Sequence, residues 1–250
     1  MNLGASVDRI LSKLDDYLHK NDYVSAERHL KYWLDEATKA GDVRAELPIC
    51  NELMGLYRKL GREDDAVCCA ERALSVVNTK GLDKQVSAAT TYLNAATVCK
   101  AFGRAADGIG LFERAREIYE RELPKNDTRL AGLYNNMGLA LVDLGRFREA
   151  EKCYDKAVEI LRNSATGAPE IAITYLNMAS AAEAETGLED AAEKIEELLK
   201  RAERLLEEYA KRDGYYAFVC EKCATVFDYY GHFFYANALK ERARRIYEGN

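Results

Sequence analysis

Three asparagines recur at nearly constant spacing in this sequence of 250 residues. Asn94 and Asn136 are 42 positions apart, and Asn177 follows 41 positions later. A carboxamide side chain donates and accepts hydrogen bonds at the same time, so it can hold the backbone of another chain without reading that chain's sequence. The series therefore suits binding of an extended polypeptide. The alternative is that each amide bonds to a neighbouring helix or to water.

The Cys220-x-x-Cys223 motif is the pattern closest to a metal or redox centre. A structural zinc ion needs four ligands, and no second pair follows at a matching spacing. Redox motifs of this type lie between a strand and a helix, a context that the surrounding sequence does not offer. Both cysteines share a helical apolar stripe with Ala224 and Phe227, so we predict that they are core residues. We predict no metal and no cofactor.

Catalysis has little support in the sequence. His19, His29 and His232 have no carboxylate or nucleophile at a spacing that would build a catalytic group. No glycine-rich phosphate loop follows a predicted strand. We predict that the protein is not an enzyme.

Composition excludes two further classes of function. The net charge is −6, and basic and acidic residues are interleaved, which argues against a nucleic-acid partner. No apolar run approaches the roughly 18 residues of a membrane span, and the first ten residues do not resemble a signal peptide. Seven cysteines at irregular spacing indicate reduced thiols, and hence a cytoplasmic protein.

One short motif positions the asparagines, because it recurs along the whole chain. In its fourth copy it reads Gly145-Arg146-Phe147-Arg148-Glu149-Ala150. The residues equivalent to Ala150 are Ala26, Ala66, Gly108, Ala192 and Ala236. The chain therefore consists of six repeats, with approximate bounds 5–41, 42–82, 83–124, 125–167, 168–212 and 213–250.

Each repeat is predicted to form two helices joined by a tight turn. In the fourth repeat Tyr134, Met137, Gly138 and Leu141 lie on one face of the first helix. Gly145 then provides a left-handed residue just past the helix end. Ala150, Tyr154 and Ala157 give the second helix a matching stripe. In the second repeat, Pro48 predicts a first helix that begins at about Glu46 or kinks there. In the fifth, the second helix is predicted to be one turn longer than the others, over 189–211.

The pattern resembles the tetratricopeptide repeat. The family's positions are met in the fourth repeat by Tyr134, Met137, Gly138 and Leu141, by Gly145, Phe147 and Ala150, and by Tyr154 and Ala157. A period of 42 rather than 34 residues is similar to kinesin-light-chain repeats, which Ala168-Pro169-Glu170-Ile171-Ala172 and Tyr175-Leu176-Asn177-Met178-Ala179 echo. The resemblance is strong in repeats three to five, fair in the second, and partial in the two terminal repeats. It implies an all-α, right-handed superhelical solenoid that forms a single domain over residues 1–250.

A helical wheel separates the packing residues from the candidate ligand face. In the fourth repeat Gly132, Asn136, Leu139 and Asp143 lie opposite Tyr134. In a stacked array of this kind that face lines the concave surface. The peptide-binding residues predicted in this way are Asn51, Glu52 and Lys59; Thr90, Asn94 and Thr97; Asn136, Leu139 and Asp143; Ile173, Asn177 and Ser180; and Lys222 and Tyr229.

The clamp with which some members of this family bind chaperone C-terminal tails is not expected. It requires lysine and asparagine on the first inner helix, where this chain has Leu11 and Asp15.

The leading functional prediction is a cytoplasmic, non-catalytic module that binds a peptide or protein segment in its concave groove. A self-associating scaffold is the first alternative, with a homodimer formed through the aromatic C-terminal end. The residues there are Phe233, Phe234, Tyr235, Leu239 and Ile246. A bacterial peptide-sensing regulatory protein is the second alternative.

Overall fold

The computed structural model describes residues 4–164 and 166–249, which contain twelve α-helices and no strand. The helices are α1 Gly4–His19, α2 Tyr23–Ala40, α3 Val43–Lys59, α4 Glu63–Thr79, α5 Val86–Ala101, α6 Ala105–Glu122, α7 Thr128–Asp143, α8 Phe147–Arg162, α9 Ala168–Thr186, α10 Leu188–Glu208, α11 Gly214–Tyr229 and α12 Phe233–Glu248. Each odd-numbered helix packs against the even-numbered helix that follows it. The predicted all-α fold of six helix pairs is confirmed.

The helices fall into two compact units. The N-terminal unit, Met1–Glu122, holds α1 to α6, and the C-terminal unit, Leu123–Asn250, holds α7 to α12. Within each unit, successive first helices pack side by side: α1, α3 and α5 in one, and α7, α9 and α11 in the other. That the six repeats form a single domain remains a prediction.

The α7–α8 pair shows how the repeat folds. The predicted stripe residues Tyr134, Met137, Gly138, Leu141, Ala150, Tyr154 and Ala157 are all buried. A Cβ atom on Gly138 would lie 2.5 Å from Cε1 of Tyr154. Glycine at this position therefore lets the tyrosine ring pack directly against the α7 backbone.

The turn between the paired helices is a left-handed cap. Gly145 has φ +69°, and the following Arg146 N–H donates to the Leu141 carbonyl at 2.8 Å. This is the bonding of a Schellman motif, which pairs the carbonyls left open at a helix end. In the first repeat Asn21 takes the left-handed conformation instead, with φ +54°. The predicted turn at Gly145 is confirmed.

Helix α3 begins earlier than the sequence pattern predicted. It starts at Val43 rather than at about Glu46, because the Asp42 carboxylate accepts hydrogen bonds from two backbone N–H groups of the first turn, at 3.1 and 3.3 Å. Pro48 is the sixth residue of the helix. It removes one backbone hydrogen bond but does not set the helix start.

Helix α10 is the long second helix of the fifth repeat. It spans Leu188–Glu208, 21 residues, and so ends three residues before the predicted Lys211. Charges one turn apart are paired on its surface, with Lys200 bonded to Glu196 at 3.1 Å and Arg201 bonded to Glu197. Each such exposed pair contributes only about 0.2–0.5 kcal/mol.

Candidate functional site

Three parallel first helices of the C-terminal unit border an open pocket of about 390 Å³. We call it the α9 pocket, because α9 lies between α7 and α11. Its lining consists of Gly132, Asn135, Asn136 and Leu139 from α7, Glu170, Ile173, Leu176 and Asn177 from α9, and Tyr215, Lys222, Cys223 and Val226 from α11. The floor is mostly apolar, and its polar side chains are three asparagines, two from α7 and one from α9, with one carboxylate, one phenol and one ammonium.

Five of the residues predicted to contact a ligand line this pocket together. They are Asn136, Leu139, Ile173, Asn177 and Lys222. The wheel of a single helix is enough to find them, because the face opposite the packing stripe is the face that remains open.

Other predicted residues on the same helices do not line the pocket. Asp143, Ser180 and Tyr229 are exposed and lie nearer the C-terminal ends of α7, α9 and α11. The Tyr229 hydroxyl donates to Glu183 at 2.7 Å, so this side chain links α11 to α9.

In the N-terminal unit, the predicted threonines of α5 are occupied by local bonds. Thr97 donates to the Leu93 carbonyl at 2.7 Å. The hydroxyl of Thr90 lies 2.7 Å from that of Tyr119 on α6. Asn94, on the same helix, is half-buried and forms no side-chain hydrogen bond with the described residues.

Asn51 contacts the neighbouring repeat. Its Nδ2 lies 3.5 Å from Oγ1 of Thr91 on α5, as a donor. Asn135 repeats the arrangement in the C-terminal unit and donates to Thr174 of α9 at 2.8 Å. This bond gives Asn51 a contact between two repeats, and its place at a ligand remains a prediction.

Glu52 and Lys59, the two charged residues of α3 that were predicted to contact a ligand, lie in different surroundings. Burial, and to a lesser extent the charge of Asp15, raises the pKa of the Glu52 carboxyl above its ordinary value. Lys59 is exposed, with its Nζ 4.8 Å from the centre of the Tyr23 ring.

The two pocket asparagines differ in what they offer a ligand. Asn136 donates from Nδ2 to the Gly132 carbonyl of its own helix at 2.8 Å, which leaves Oδ1 as an acceptor. Asn177 makes no side-chain hydrogen bond with the described residues, so both ends of its amide are available.

Sequence reasoning missed Asn135, Glu170 and Tyr215, which complete the polar lining. Tyr215 donates to Oε1 of Glu170 at 2.9 Å, so each side chain fixes the other across the gap between α11 and α9. Burial, and then the charge of Glu170, raises the pKa of Tyr215. No periodicity within one helix could reveal this pair, because it depends on how two repeats face each other.

The Cys220-x-x-Cys223 motif is part of the core, as predicted. Both thiols are fully buried, in a cluster that includes Ala224 and Phe227. Burial raises the pKa of Cys220 to about 11 and that of Cys223 to about 12, so both remain protonated near neutral pH. Across residues 4–164 and 166–249, no three His, Cys, Asp or Glu side chains are grouped so that they could hold a metal ion.

Comparison with known families matches the repeat pattern directly. Residues 87–163 and 129–208 match the model of the tetratricopeptide repeat. Residues 87–208, from α5 to α10, therefore carry tetratricopeptide repeats, and the predicted resemblance to that family is confirmed. The predicted similarity of the 42-residue repeats to kinesin-light-chain repeats is matched by the relatives described next.

The proteins similar to this chain include one from a plant. Over 145 residues it is 29% identical to Protein KINESIN LIGHT CHAIN-RELATED 1 of Arabidopsis thaliana, a match that covers 57% of this chain. The matched part is 24% of the relative, so the chain spans about a quarter of that protein's length.

Solved structures share the fold. BtubC (BKLC) from P. vanneervenii superposes with a TM-score of 0.69 at 24% identity, over 84% of each chain. A Rap protein complexed with Competence and Sporulation Factor superposes with a TM-score of 0.56 at 15% identity, over 95% of this chain and 73% of that one. At these identities the likeness establishes the fold alone.

The repeat type indicates a general class of function, which is interaction with other proteins. Tetratricopeptide repeats mediate interactions with protein or peptide partners, and such repeat families are generally non-catalytic. No helix in the described part of the chain is long and apolar enough to cross a membrane.

Proposed function

We propose that the C-terminal unit binds an extended peptide or protein segment in the α9 pocket. The observation that carries the proposal is that Asn136 and Asn177, on neighbouring first helices, line one open pocket. Its volume of about 390 Å³ lies within the range of roughly 300–1,000 Å³ that is usual for ligand pockets. An extended segment exposes backbone N–H and C=O groups, and the two amides can pair with both kinds.

The fixed orientation of Asn136 supports this role. Its bond to the Gly132 carbonyl holds the amide in place before a ligand arrives. Less side-chain entropy is then lost on binding, which improves affinity without adding a contact. Asn94 is proposed to hold a segment on α5 in the same way. The roles of Thr90, Thr97, Glu52, Lys59, Asp143, Ser180 and Tyr229 at a ligand remain predictions.

The test begins with a random peptide library displayed against the full chain. The affinity of the selected peptides is then measured for the wild type and for a variant carrying both Asn136→Ala and Asn177→Ala. Each backbone hydrogen bond contributes about 0.5–1.5 kcal/mol, so the double variant should bind about 5- to 100-fold more weakly. Asn237→Ala, on the exposed surface of α12, is the matched control and should bind normally.

Unchanged affinity in the double variant would remove the basis of the proposal. Adding Asn94→Ala to the pair tests the N-terminal unit, since a further loss is expected only if Asn94 also holds the segment.

Self-association is a second candidate function, favoured by two exposed aromatic side chains. Phe234 is 96% exposed and Phe233 is 59% exposed at the start of α12. Tyr235, Leu239 and Ile246 pack into the core instead. If the two phenylalanines join copies of the chain, light scattering will show a dimer that Phe233→Ser with Phe234→Ser converts to a monomer. A monomeric wild type at high concentration would exclude this candidate.

We also propose a cytoplasmic setting. All seven cysteines are free, and five of them are buried. Free thiols in this number are typical of a reducing compartment. A peptide-sensing regulatory role would use the same pocket, and the likeness to the Rap protein, which is one of fold, does not distinguish it.

A further inference from the structure

The lining of the α9 pocket points to the chemistry of its ligand. We infer that it receives a basic side chain of the bound segment, arginine above all, with Glu170 as the carboxylate partner. This inference rests on the proposed function and deepens it, because it names the residue type that the pocket selects.

Glu170 is a positioned carboxylate without a cation. The Tyr215 hydroxyl holds its Oε1 at 2.9 Å. No Lys, Arg or His in the described part of the chain makes an ion pair with it. Glu170 is half-buried in the first turn of α9, where the positive end of the helix dipole favours a carboxylate but supplies no ionic partner. Here the second oxygen remains for a partner that comes with the ligand.

Asn136, which lines the same pocket as Glu170, adds a hydrogen-bond acceptor for the guest side chain. Asn136 has its Nδ2 engaged by a backbone carbonyl, which leaves Oδ1. Asn135 donates from Nδ2 to Thr174, whose hydroxyl in turn donates to the Glu170 carbonyl, so Asn135 must present Oδ1 elsewhere. That Oδ1 is buried and has no hydrogen-bond partner in the described part of the chain, so of these two asparagines only Asn136 offers an acceptor that a ligand reaches. A guanidinium carries five N–H donors and no acceptor, so it complements a wall of this kind.

The apolar floor fits the rest of the side chain. Leu139, Ile173 and Leu176 line the pocket between the polar groups. Arginine and lysine bury their aliphatic stems on such surfaces while their charged ends reach a polar group. A large uncharged side chain would fill the same floor but would leave Glu170 uncompensated.

Lys222 sets the direction in which the guest side chain lies. Its Nζ is 4.8 Å from the centre of the Phe218 ring. It follows Tyr215 by seven residues on α11, which is about 10 Å along a helix axis. A guest cation is therefore attracted to the end of the pocket formed by Glu170 and Tyr215, and repelled from the end formed by Lys222.

Three short capped peptides test the inference, with sequence Gly-Ala-X-Ala-Gly and X as arginine, leucine or glutamate. Each is titrated into the full chain, and the side-chain amide signals of Asn136 and Asn177 are followed by NMR. The arginine peptide should bind most tightly, and its affinity should fall as salt is added. Glu170→Gln keeps an oxygen for the Tyr215 hydroxyl but removes the charge, and it should weaken the arginine peptide about tenfold while leaving the leucine peptide unchanged.

Two further variants serve as controls. Glu185→Gln makes the same charge change at an exposed position of α9 outside the pocket, and it should leave arginine binding unaltered. Lys222→Ala removes the opposing charge and should strengthen arginine binding.

The outcomes separate this inference from the proposed function. If the leucine or glutamate peptide binds at the two asparagines as tightly as the arginine peptide, or if Glu170→Gln has no effect, the inference is wrong and the proposed function stands. If no peptide shifts the asparagine signals, the inference is likewise wrong. The proposed function also falls if, in addition, the displayed library gives no ligand that depends on these asparagines.

Discussion

Two glycines of α7, six residues apart, differ in what surrounds them. A Cβ on Gly138 would meet the buried ring of Tyr154 at 2.5 Å, whereas a Cβ on Gly132 would meet nothing within 4 Å. The first glycine is required by packing. The second lines the α9 pocket, and nothing in the packing of the helix requires it.

The two glycines therefore predict opposite effects of alanine on stability. Gly132→Ala should stabilise the fold by about 0.5–1 kcal/mol, because glycine loses more backbone entropy in a helix. Gly138→Ala should destabilise it by about 1–3 kcal/mol, because the ring of Tyr154 must move in a packed core. Urea denaturation of the two variants measures both changes, and equal shifts of the midpoint would contradict the packing described for α7 and α8.

Glu27 predicts an acid-sensitive step in the N-terminal unit. Hydrogen bonds from Lys31, Arg62 and Tyr57, at 2.6, 2.7 and 3.0 Å, lower the pKa of this carboxyl to about 2, from an ordinary value of 4.5. A lowered folded-state pKa gives stability that is fully present above pH 4.5 and is lost as the pH falls towards 2.

We expect the free energy of unfolding to fall across that range by on the order of 3 kcal/mol on account of Glu27. The measurement is denaturant unfolding at several pH values for the wild type and Glu27→Gln. The variant should be less stable at pH 7, and the difference should shrink towards pH 2. A difference that stays constant with pH would show that the carboxylate charge is not involved.

Each unit has an asparagine–threonine pair that joins two neighbouring first helices. In the C-terminal unit, Asn135 of α7, which is half-buried, donates to Thr174 of α9, which is fully buried. Thr174→Val should cost about 1–3 kcal/mol, because it leaves the amide donor unpaired. Combining it with Asn135→Leu should restore most of the loss, since both polar groups are then gone. A double-mutant cycle by thermal unfolding measures this coupling, and simple additivity would show that the pair does not interact.

The sequence was sufficient to predict each helix pair and five of the residues that line the α9 pocket. Tyr134 and Gly145 carry their signals within one repeat, so the stripe and the turn could be predicted. The start of α3 could not be predicted in the same way, because Pro48 indicates a start near Glu46 whereas the Asp42 cap starts the helix at Val43. The wheel predicts neither the bond of Asn51 to Thr91 of the next repeat nor the place of Glu170 in the pocket. Both depend on the register between two repeats, which the periodicity of a single helix does not contain.

At the scale of the whole molecule, the reactivity of the seven cysteine thiols measures how well the native fold shields its core. Cys68 is exposed and Cys99 is half-buried, whereas Cys50, Cys69, Cys153, Cys220 and Cys223 are buried. Burial raises the pKa of Cys50 to about 12, which suppresses the reactive thiolate as well as access to it.

Titration of the native protein with a thiol reagent should therefore give one rapid reaction, which Cys68→Ala abolishes. Cys99 should react more slowly, and the remaining five thiols should react only at the rate of unfolding. Rapid modification of several thiols in the Cys68→Ala variant would contradict the packing of the buried five.

Because Asn136 on α7 and Asn177 on α9 both line the pocket, a bound segment would be held at two points a fixed distance apart. Packed helices lie about 8–10 Å apart, and an extended chain advances about 3.3 Å per residue. Asn136 and Asn177 would then hold backbone groups about three residues apart. The spacing of the two asparagines therefore selects the separation of the backbone groups that they bind. Inserting one residue between those groups of a ligand would move the second group away from its asparagine, even if the side chains that the pocket contacts were unchanged.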